Sequence, residues 1–384
     1  MKYQKLKKEP LFEVSNNASY NIQNYGIEND FPQQLLMLIR GSSSAMQGID
    51  NYSKFIYGQG FSDISLSQKI INRKRQTLDS LLNLISKDLA IFGGFALHFN
   101  YNLLYEISEI NYVPFETVRL GSVDKNGHFD NVKIHWDWAK NFSKLRRFSK
   151  EDIKEIKLYN PNKLMVKEQI DNAGGINNYT GQILYYTLNE NNFYPEPTYS
   201  SSLTDISTEQ GISNIDYRNV RERFLTGGVL VQIKNSNENV KTEKEDYIND
   251  DNSFSNTLQE MQTDERACKI ALVTVKNKDD VPVWLPMQTN NYDTEYKITT
   301  ESIRTKIRTS FMQPPLLFSE SVSTGFSVDE MQQSYEFYNG KTLKERQTIE
   351  RIFKELFSHY SEEMNVNDFS IKKLQWNGNE NNTQ

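Results

Sequence analysis

A helix followed by two prolines constrains the fold of this chain more than any other feature. Ile303, Ile307 and Phe311 recur every four residues, which predicts a helix with one apolar face. Pro314 and Pro315 follow. We expect them to end that helix, because proline lacks a backbone N–H and its ring clashes with the preceding turn. The chain must therefore leave the helical path at this point.

A second long helix is predicted beyond the prolines. Residues 319–327 are rich in Ser and contain Gly325, a composition typical of a loop. The pattern of residues 328–360 then predicts one long helix. We expect its weak point at Asn339-Gly340, because glycine destabilises a helix interior.

Three shorter helices are predicted near the start of the chain. The first begins at Pro32 with Asn29 or Asp30 as its N-cap, since proline suits the first turn of a helix. Glycines at residues 58–60 and 93–94 end the second and third helices. The apolar faces of these two helices consist of Ala45, Ile49, Tyr52, Ile56, Leu78, Leu81, Leu82, Ile85, Leu89 and Phe92.

Extended segments follow the third helix. Asp124-Lys125-Asn126-Gly127 predicts a hairpin turn, because Asn-Gly tolerates the positive φ angles that such turns need. The predicted strands are Phe95–Tyr101, Tyr105–Asn111, Glu116–Leu120, His128–Trp138 and Gln182–Leu188.

The character of the sequence changes after residue 197. Residues 204–226 predict a helix, and residues 229–233 and 269–275 predict two further strands. An acid-rich insert separates these strands at residues 235–265. Helices and strands that occur in separate runs indicate an α+β fold.

Charge and cysteine content restrict the function. The net charge of −6 lacks the basic surplus of proteins that grip DNA by neutralising phosphates. The only cysteine, Cys268, excludes an intramolecular disulfide and suits a reducing compartment. No apolar run reaches the length of a membrane span. We expect a protein of cytoplasmic origin with no membrane contact.

The residue combinations of catalysis and metal binding are missing from the sequence. It contains neither a phosphate-binding G-x-x-x-x-G-K-[ST] loop nor a G-x-S-x-G nucleophile motif. His128 with Asp130 and His135 with Asp137 lie on opposite faces of a strand, so neither face collects enough ligands for a metal. We expect no catalytic residues, no cofactor and no metal site.

The order of these motifs resembles the portal proteins of tailed bacteriophages. It is most similar to the compact portals found in phages of Bacteroidetes hosts. The similarity covers roughly residues 28–360. It is carried by Glu28-Asn29-Asp30-Phe31-Pro32, Phe55-Ile56-Tyr57-Gly58-Gln59-Gly60-Phe61, the Ile303–Phe311 helix, Pro314-Pro315-Leu316-Leu317-Phe318 and Gly325-Phe326-Ser327.

The resemblance implies a portal fold with a mixed α/β wing, a helical stem and a small β-containing clip. It implies a minimal or absent crown, because few residues follow the long helix. The implied divisions are a wing at 1–203, a first stem helix at 204–228, a clip at 229–292, a second stem helix at 293–313, a tunnel loop at 314–327 and a long wing helix with a short tail at 328–384.

The resemblance also implies a role at one vertex of a virus capsid. A homo-oligomeric ring of about twelve copies would pass double-stranded DNA during packaging and ejection, without sequence specificity. Its implied partners are the large terminase subunit, a head–tail adaptor or neck protein, and the major capsid or scaffolding protein. Assembly would take place in the cytoplasm of the host bacterium.

Site residues follow from the same resemblance. Residues expected to face DNA are Arg304, Lys306, Arg308, Ser319, Ser321, Ser323 and Thr324. Pro314, Pro315 and Gly325 are expected in a hinge or tunnel loop, and Ile303, Ile307 and Phe311 in packing between stems of neighbouring subunits. The basic residues also suit an ordinary solvated helix face, the prolines a simple helix stop, and the acidic insert either a docking edge or a solvated loop.

Two other functions remain open from the sequence. One is another structural protein of the virion head and neck, such as an adaptor. The other is a metal-dependent enzyme acting on nucleic acid, although the acidic residues are scattered rather than clustered.

Overall fold

The structure is a computed structural model that describes residues 14–124, 127–138, 150–189, 193–221, 228–233, 270–275, 292–318, 328–361 and 368–376. The chain divides into two compact units. The described residues of the first lie within Thr204–Lys306, and those of the second within Glu9–Leu203 and Ile307–Gln384. The class is mixed α+β, as the sequence predicts.

The helices in chain order are α1 (Phe31–Gly41), α2 (Ser43–Tyr57), α3 (Ile64–Gln68), α4 (Leu78–Phe92), α5 (Lys163–Asn172), α6 (Leu203–Arg221), α7 (Tyr292–Ser310), α8 (Val328–Lys341) and α9 (Leu343–Ser358). The strands are β1 (Val14–Asn17), β2 (Ile22–Tyr25), β3 (Gly94–Tyr101), β4 (Ile107–Val113), β5 (Val118–Leu120), β6 (Asn131–Ile134), β7 (Lys154–Leu158), β8 (Gln182–Thr187), β9 (Gly228–Ile233) and β10 (Ile270–Val275). Within the described ranges, no helix combines the length and apolarity that crossing a membrane requires.

Helices α2 and α4 lie where their apolar spacing predicts them. All ten residues of the two predicted apolar faces are buried. The Ser42 hydroxyl accepts a hydrogen bond from the N–H of Ala45, and the Thr77 hydroxyl accepts one from the N–H of Ser80. These caps satisfy donors that a helix leaves unpaired at its start. Gly93 ends α4 at φ +79°, a left-handed conformation that glycine adopts without strain.

The prediction that Asn29 or Asp30 caps α1 is confirmed in position only: Asp30 is the N-cap residue, but neither side chain bonds to a helix N–H. Asn29 is buried, and its Oδ1 accepts from the N–H of Tyr25 and from Nε of Arg119. The guanidinium of Arg119 is itself buried and lies over the rings of Tyr25 and Trp138. Burial lowers its pKa to about 10. The Asn29 side chain therefore stabilises the buried Arg119 and is not available to cap α1.

Six strands form the main sheet, in the order β4-β3-β8-β7-β6-β5. Strands β7 and β8 run parallel, and the other neighbours in the sheet run antiparallel. The predicted hairpin joins β5 to β6. Two predicted strands are shorter than expected: residues 115–117 form a 3-10 turn before β5, and only Asn131–Ile134 of the predicted His128–Trp138 strand pairs. Strand β7 and helix α5 are absent from the sequence prediction.

Other parts of the chain cover both edges of this sheet. At the β5 edge, Ile22 of β2 forms an antiparallel bridge with Gly121. At the β4 edge, the N–H of Ile110 donates to the carbonyl of Ile71, and Ile107 bridges to Tyr360. Such covering removes backbone groups that would otherwise pair with another strand.

In the unit that contains Thr204–Lys306, β9 and β10 pair in parallel, from Gly228 opposite Ile270 to Ile233 opposite Val275. Both strands lie where the sequence predicts them. A parallel pair needs a crossover between its strands. Here the connecting residues, including the predicted insert at 235–265, lie outside the described ranges.

The predicted long C-terminal helix consists of two helices. Helices α8 and α9 are separated at Thr342, two residues beyond the weak point predicted at Asn339-Gly340. The chain then returns across the core, where Ile371 bridges to Phe61 and the carbonyl of Lys372 accepts from the N–H of Gln59. No sequence pattern predicts this returning segment, which consists of residues 368–376.

Candidate functional site

Ion pairs join α6 and α7. Arg304 Nε lies 3.6 Å from Glu209 Oε1, and Lys306 Nζ lies 3.6 Å from Asp205 Oδ1. Because residue numbers rise along one helix as they fall along the other, these pairs indicate antiparallel helices. The two basic side chains remain 48% and 62% exposed. Pairs this exposed add at most about 1 kcal/mol of stability, but they neutralise part of the positive charge on α7.

Arg308, the third basic residue of α7, has an aromatic neighbour. Its guanidinium carbon lies 5.0 Å from the centre of the Phe318 ring. Such an arrangement attracts a cation to the negative face of the ring. Each of the three basic residues predicted to face DNA thus has an intramolecular partner. The sequence of one helix alone does not reveal such partners.

The apolar face of α7 is buried within a single chain. Ile303, Ile307 and Phe311 are 5%, 0% and 3% exposed. The Phe311 ring stacks on Tyr199 with centroids 4.9 Å apart and lies against Gly48, where any larger side chain would collide with it. We predicted that this face packs between subunits. It needs no neighbouring subunit in order to be buried.

The prediction that Pro314 and Pro315 end α7 is wrong in position. The helix ends at Ser310, four residues before the first proline. Its last turn closes through the N–H of Met312, which donates to the carbonyl of Thr309, and Met312 has φ +51°. This left-handed conformation turns the chain away from the helix axis. Residues 315–318 then form a short 3-10 helix.

The residues after α7 are held by a buried network centred on Gln313. Its Nε2 donates to the carbonyl of Gly48 at 2.6 Å and to the hydroxyl of Tyr338 at 3.0 Å. Asn51 Nδ2 donates to Gln313 Oε1 at 3.3 Å and to the carbonyl of Leu317 at 2.8 Å. These bonds tie the segment to α2 and α8, which favours a fixed joint over a hinge at the prolines.

Arg346 of α9 holds the break between α8 and α9. Its Nη1 donates to the carbonyl of Phe55 at 2.6 Å, and its Nη2 donates to the carbonyl of Asn339 at 2.6 Å. Phe55 lies in the last turn of α2 and Asn339 in the last turn of α8, where helix carbonyls lack partners and carry partial negative charge. Nη1 also donates to the Thr342 hydroxyl at 2.7 Å. One cation therefore serves two helix ends.

Buried titratable groups surround this joint. The Tyr52 hydroxyl donates to Glu345 Oε1 at 2.7 Å. Burial, with the neighbouring carboxylate as a further cause, raises the pKa of Tyr52. Burial also lowers the pKa of Arg346, an effect that Glu350 and Glu345 partly offset. A neutral tyrosine and a charged guanidinium are the expected states at neutral pH.

Several predicted site residues lie outside the described ranges. They are Ser319, Ser321, Ser323, Thr324 and Gly325. Gln313 and Arg346, which organise the described joint, are not among the predicted site residues. No motif marks either residue, because the carbonyls of Gly48 and Phe55 to which they bond lie far away in the chain.

The residues first weighed as metal ligands do not collect into a site. His135 is buried between the neighbouring aromatic residues Trp136 and Trp138, and its Nδ1 accepts from the N–H of Asp137. In the part of the chain that the structure describes, no three His, Cys, Asp or Glu side chains are grouped as metal ligands would be.

No family model and no curated protein matches the sequence. Solved structures with a similar fold come from gene transfer agent (GTA) particles. A chain from the neck of an empty GTA particle, computed with C6 symmetry, is 11% identical with a TM-score of 0.50. The match covers 88% of this chain and 84% of that chain.

Two further matches come from native GTA particles. A chain from the neck, computed with C12 symmetry, has 12% identity and a TM-score of 0.46 over 86% of this chain and 82% of that chain. A chain from the virion has 10% identity and a TM-score of 0.44 over 79% and 74%. At a TM-score of 0.50, the first match shows that this chain shares its fold with a component of a GTA neck.

Proposed function

We propose that this protein is a portal subunit, one copy in a ring at a capsid vertex through which double-stranded DNA is packaged and ejected. The observation that carries the proposal is the fold shared with a chain of a GTA neck over 88% of this sequence. The ordered motifs of the sequence support the same conclusion. The ring would dock the terminase motor during packaging and neck or tail proteins afterwards.

The antiparallel helices α6 and α7 suit the stem of such a ring. They carry both acidic and basic side chains, and the Arg304–Glu209 and Lys306–Asp205 pairs balance charge along them. Balanced charge gives a passing duplex few phosphate contacts to hold it, since tight binding requires uncompensated cations. This suits a conduit better than a DNA-gripping protein.

The joint at Gln313 suits the support of a tunnel loop. It fixes the end of α7 against α2 and α8 immediately before residues 319–327. Force on that loop would therefore pass into the body of the subunit rather than bend the chain at the prolines.

Mass measurement and electron microscopy of the purified protein test the proposal. We expect rings with a central opening wide enough for a duplex of ~20 Å. Their mass by light scattering should be about twelve times the 44.8 kDa of one chain. A protein that stays monomeric at all concentrations, with or without scaffolding or capsid protein, would contradict the proposal.

Capsid-vertex assembly and DNA cleavage distinguish a portal from the other candidate functions. An adaptor would add to preformed portal rings but would not build the opening at the capsid vertex itself. A Mg²⁺-dependent nicking assay on supercoiled DNA should show no cleavage, whereas cleavage by a pure monomer would identify a nucleic-acid enzyme.

A further inference from the structure

A tight turn between α3 and α4 carries three basic residues in succession. Arg73, Lys74 and Arg75 are the only three consecutive basic residues in the chain, whose net charge is −6. All three are exposed, and the side chain of Arg73 is 92% exposed. We call these three residues the basic turn. It concentrates positive charge at one place on an otherwise acidic protein.

Hydrogen bonds of one buried residue fix the shape of the basic turn. The carbonyl of Asn72 accepts from the N–H of Arg75 at 3.0 Å, and Asn72 Nδ2 donates to the carbonyl of Ile110 at 3.0 Å. Asn72 Oδ1 accepts from the N–H of Gln76 at 3.2 Å. Ile110 belongs to β4, so these bonds anchor the turn to the main sheet. A backbone that is already ordered loses little entropy when it binds.

Arg75 has a backbone conformation that long side chains rarely adopt. Its φ is +58°, in the left-handed region that favours glycine and asparagine. The turn therefore carries a cation at a position where either of those uncharged residues would be less strained. Backbone strain of this kind occurs most often at sites that bind ligands.

The charge of the basic turn is only partly neutralised. Arg73 Nε lies 2.7 Å from Glu109 Oε1. Within the described ranges, neither Lys74 nor Arg75 forms an ion pair with an acidic side chain. The basic residues of α7 differ in this respect, because Arg304 and Lys306 each have an acidic partner on α6. Lys74 and Arg75 keep their charge for an anionic partner.

A polar cleft of about 280 Å³ adjoins the basic turn. Most of the residues that line it are polar, and they include Arg73, Asn100, Tyr101, Ser108 and Tyr179. Interfaces between proteins have an apolar core with few charges, whereas interfaces with nucleic acids are more polar and more positively charged. These surroundings favour a nucleic acid over an acidic protein as the partner.

We propose that the basic turn binds phosphate groups of duplex DNA. This site includes none of the residues predicted to face DNA. A few phosphate contacts on each copy give weak binding that salt disrupts, so a duplex held there can still move. The contact adds to the proposed conduit, but it does not require a ring in order to form.

Salt-dependent DNA binding by the full-length protein tests the site. The variant Lys74→Gln/Arg75→Asn removes both unpaired charges, and asparagine tolerates the positive φ of residue 75. We expect weaker binding to a duplex of arbitrary sequence, with a slope of log K against log salt that is smaller by about 1.8, since each lost phosphate contact removes about 0.9. Fluorescence anisotropy at several salt concentrations measures this slope.

The matched control is Lys372→Gln/Lys373→Gln, which removes two other exposed charges. It should bind DNA with the slope of the unsubstituted protein. Equal slopes in the two double variants would overturn the inference, because the effect would then follow from net charge alone. Thermal unfolding and circular dichroism verify that each variant folds.

Protection from acetylation tests the site without any substitution. Excess duplex should slow the acetylation of Lys74 but not of Lys373, as measured by mass spectrometry. Polyglutamate at the same charge concentration should protect Lys74 less than DNA does. No protection by DNA, or equal protection by polyglutamate, would overturn the inference, the second result by identifying an acidic protein as the better partner.

The outcomes separate the inference from the proposed function. If rings form but neither the Lys74→Gln/Arg75→Asn variant nor the acetylation of Lys74 responds as expected, the inference fails and the proposed function stands. If no rings form under any condition and duplex DNA still protects Lys74, the proposed function fails and the inference stands.

Discussion

At the scale of single residues, Arg346 shows how one buried cation joins two helix ends. Its guanidinium bonds to the carbonyls of Phe55 and Asn339, and the Thr342 hydroxyl completes the set. Burying a charge is costly, but the bonds that Nη1 and Nη2 donate to two carbonyls and a hydroxyl offset much of that cost. The break between α8 and α9 therefore depends on one side chain.

We expect Arg346→Met to lower the free energy of unfolding by roughly 2–4 kcal/mol, because it leaves buried carbonyls without a donor. Arg346→Lys should lose less, since an ammonium keeps the charge but lacks the fork that reaches both helix ends. Urea unfolding measures both effects. Arg351→Met on the exposed side of α9 is the control, with an expected change below about 0.5 kcal/mol. Equal losses in both methionine variants would contradict the role of Arg346.

A second residue, Asp88 of α4, makes the stability depend on pH. Its carboxyl is buried and accepts from the Tyr112 hydroxyl at 3.0 Å. Burial raises its pKa well above the ordinary value, with the nearby Glu116 carboxylate as a smaller cause in the same direction. Because the pKa in the folded state exceeds that in the unfolded state, this group favours folding below the unfolded pKa. That contribution is lost as the pH rises through the folded pKa.

The variant Asp88→Asn should therefore gain stability relative to the unsubstituted protein as the pH rises from about 4 towards neutrality. Denaturation midpoints measured across this range give the difference. Asp171→Asn, on the exposed side of α5, serves as the control and should follow the unsubstituted protein. A difference between Asp88→Asn and the unsubstituted protein that stays constant with pH would contradict the assignment.

At the scale of elements, α6 and α7 combine an apolar face with compensated charge. Ile206 of α6 is buried like Ile303 and Ile307 of α7, while Glu209 and Asp205 face the basic residues. Removing one of these carboxylates leaves a cation available to a phosphate. Each additional phosphate contact steepens the salt dependence of DNA binding by about one unit of log K against log salt.

We expect Glu209→Gln to bind duplex DNA more tightly at low salt than the unsubstituted protein, with the steeper salt dependence that one released cation predicts. Fluorescence anisotropy with a duplex of arbitrary sequence, titrated at several salt concentrations, measures both quantities. Glu301→Gln on the exposed side of α7 changes the net charge equally without releasing Arg304, and it serves as the control. Identical salt dependence in the two variants would show that Arg304 does not meet the duplex.

At the scale of the whole molecule, the chain uses its own segments to cover its sheet edges and helix ends. Strand β2 covers one edge of the main sheet, and Ile71 with Tyr360 covers the other. The returning segment at 368–376 contacts the residues just beyond α2, where the N–H of Gln59 donates to the carbonyl of Lys372. It also contacts α8, where Asn339 Nδ2 donates to the carbonyl of Leu374 at 2.8 Å. The ring-mass measurement tests the proposed function at this scale.

The sequence by itself determined the α+β class, the buried faces of α2, α4 and α7, and the hairpin between β5 and β6. Spacing of apolar residues and the backbone preferences of glycine and proline act within a few residues, so a local pattern is sufficient to predict them. For 328–360 the sequence predicted one helix with a weak point at Asn339-Gly340, and the structure has two helices separated at Thr342, two residues beyond that point.

Only the tertiary structure decided which partners the polar residues of these elements bond to. Asn29 supports Arg119 instead of capping α1, and Gln313 and Arg346 bond to carbonyls some 265 and 291 residues away in the chain. The basic residues of α7 were visible in the sequence, but their partners on α6 and at Phe318 were not. A hydrogen bond or ion pair depends on where the fold brings its two partners together, and no spacing within one segment records that distance.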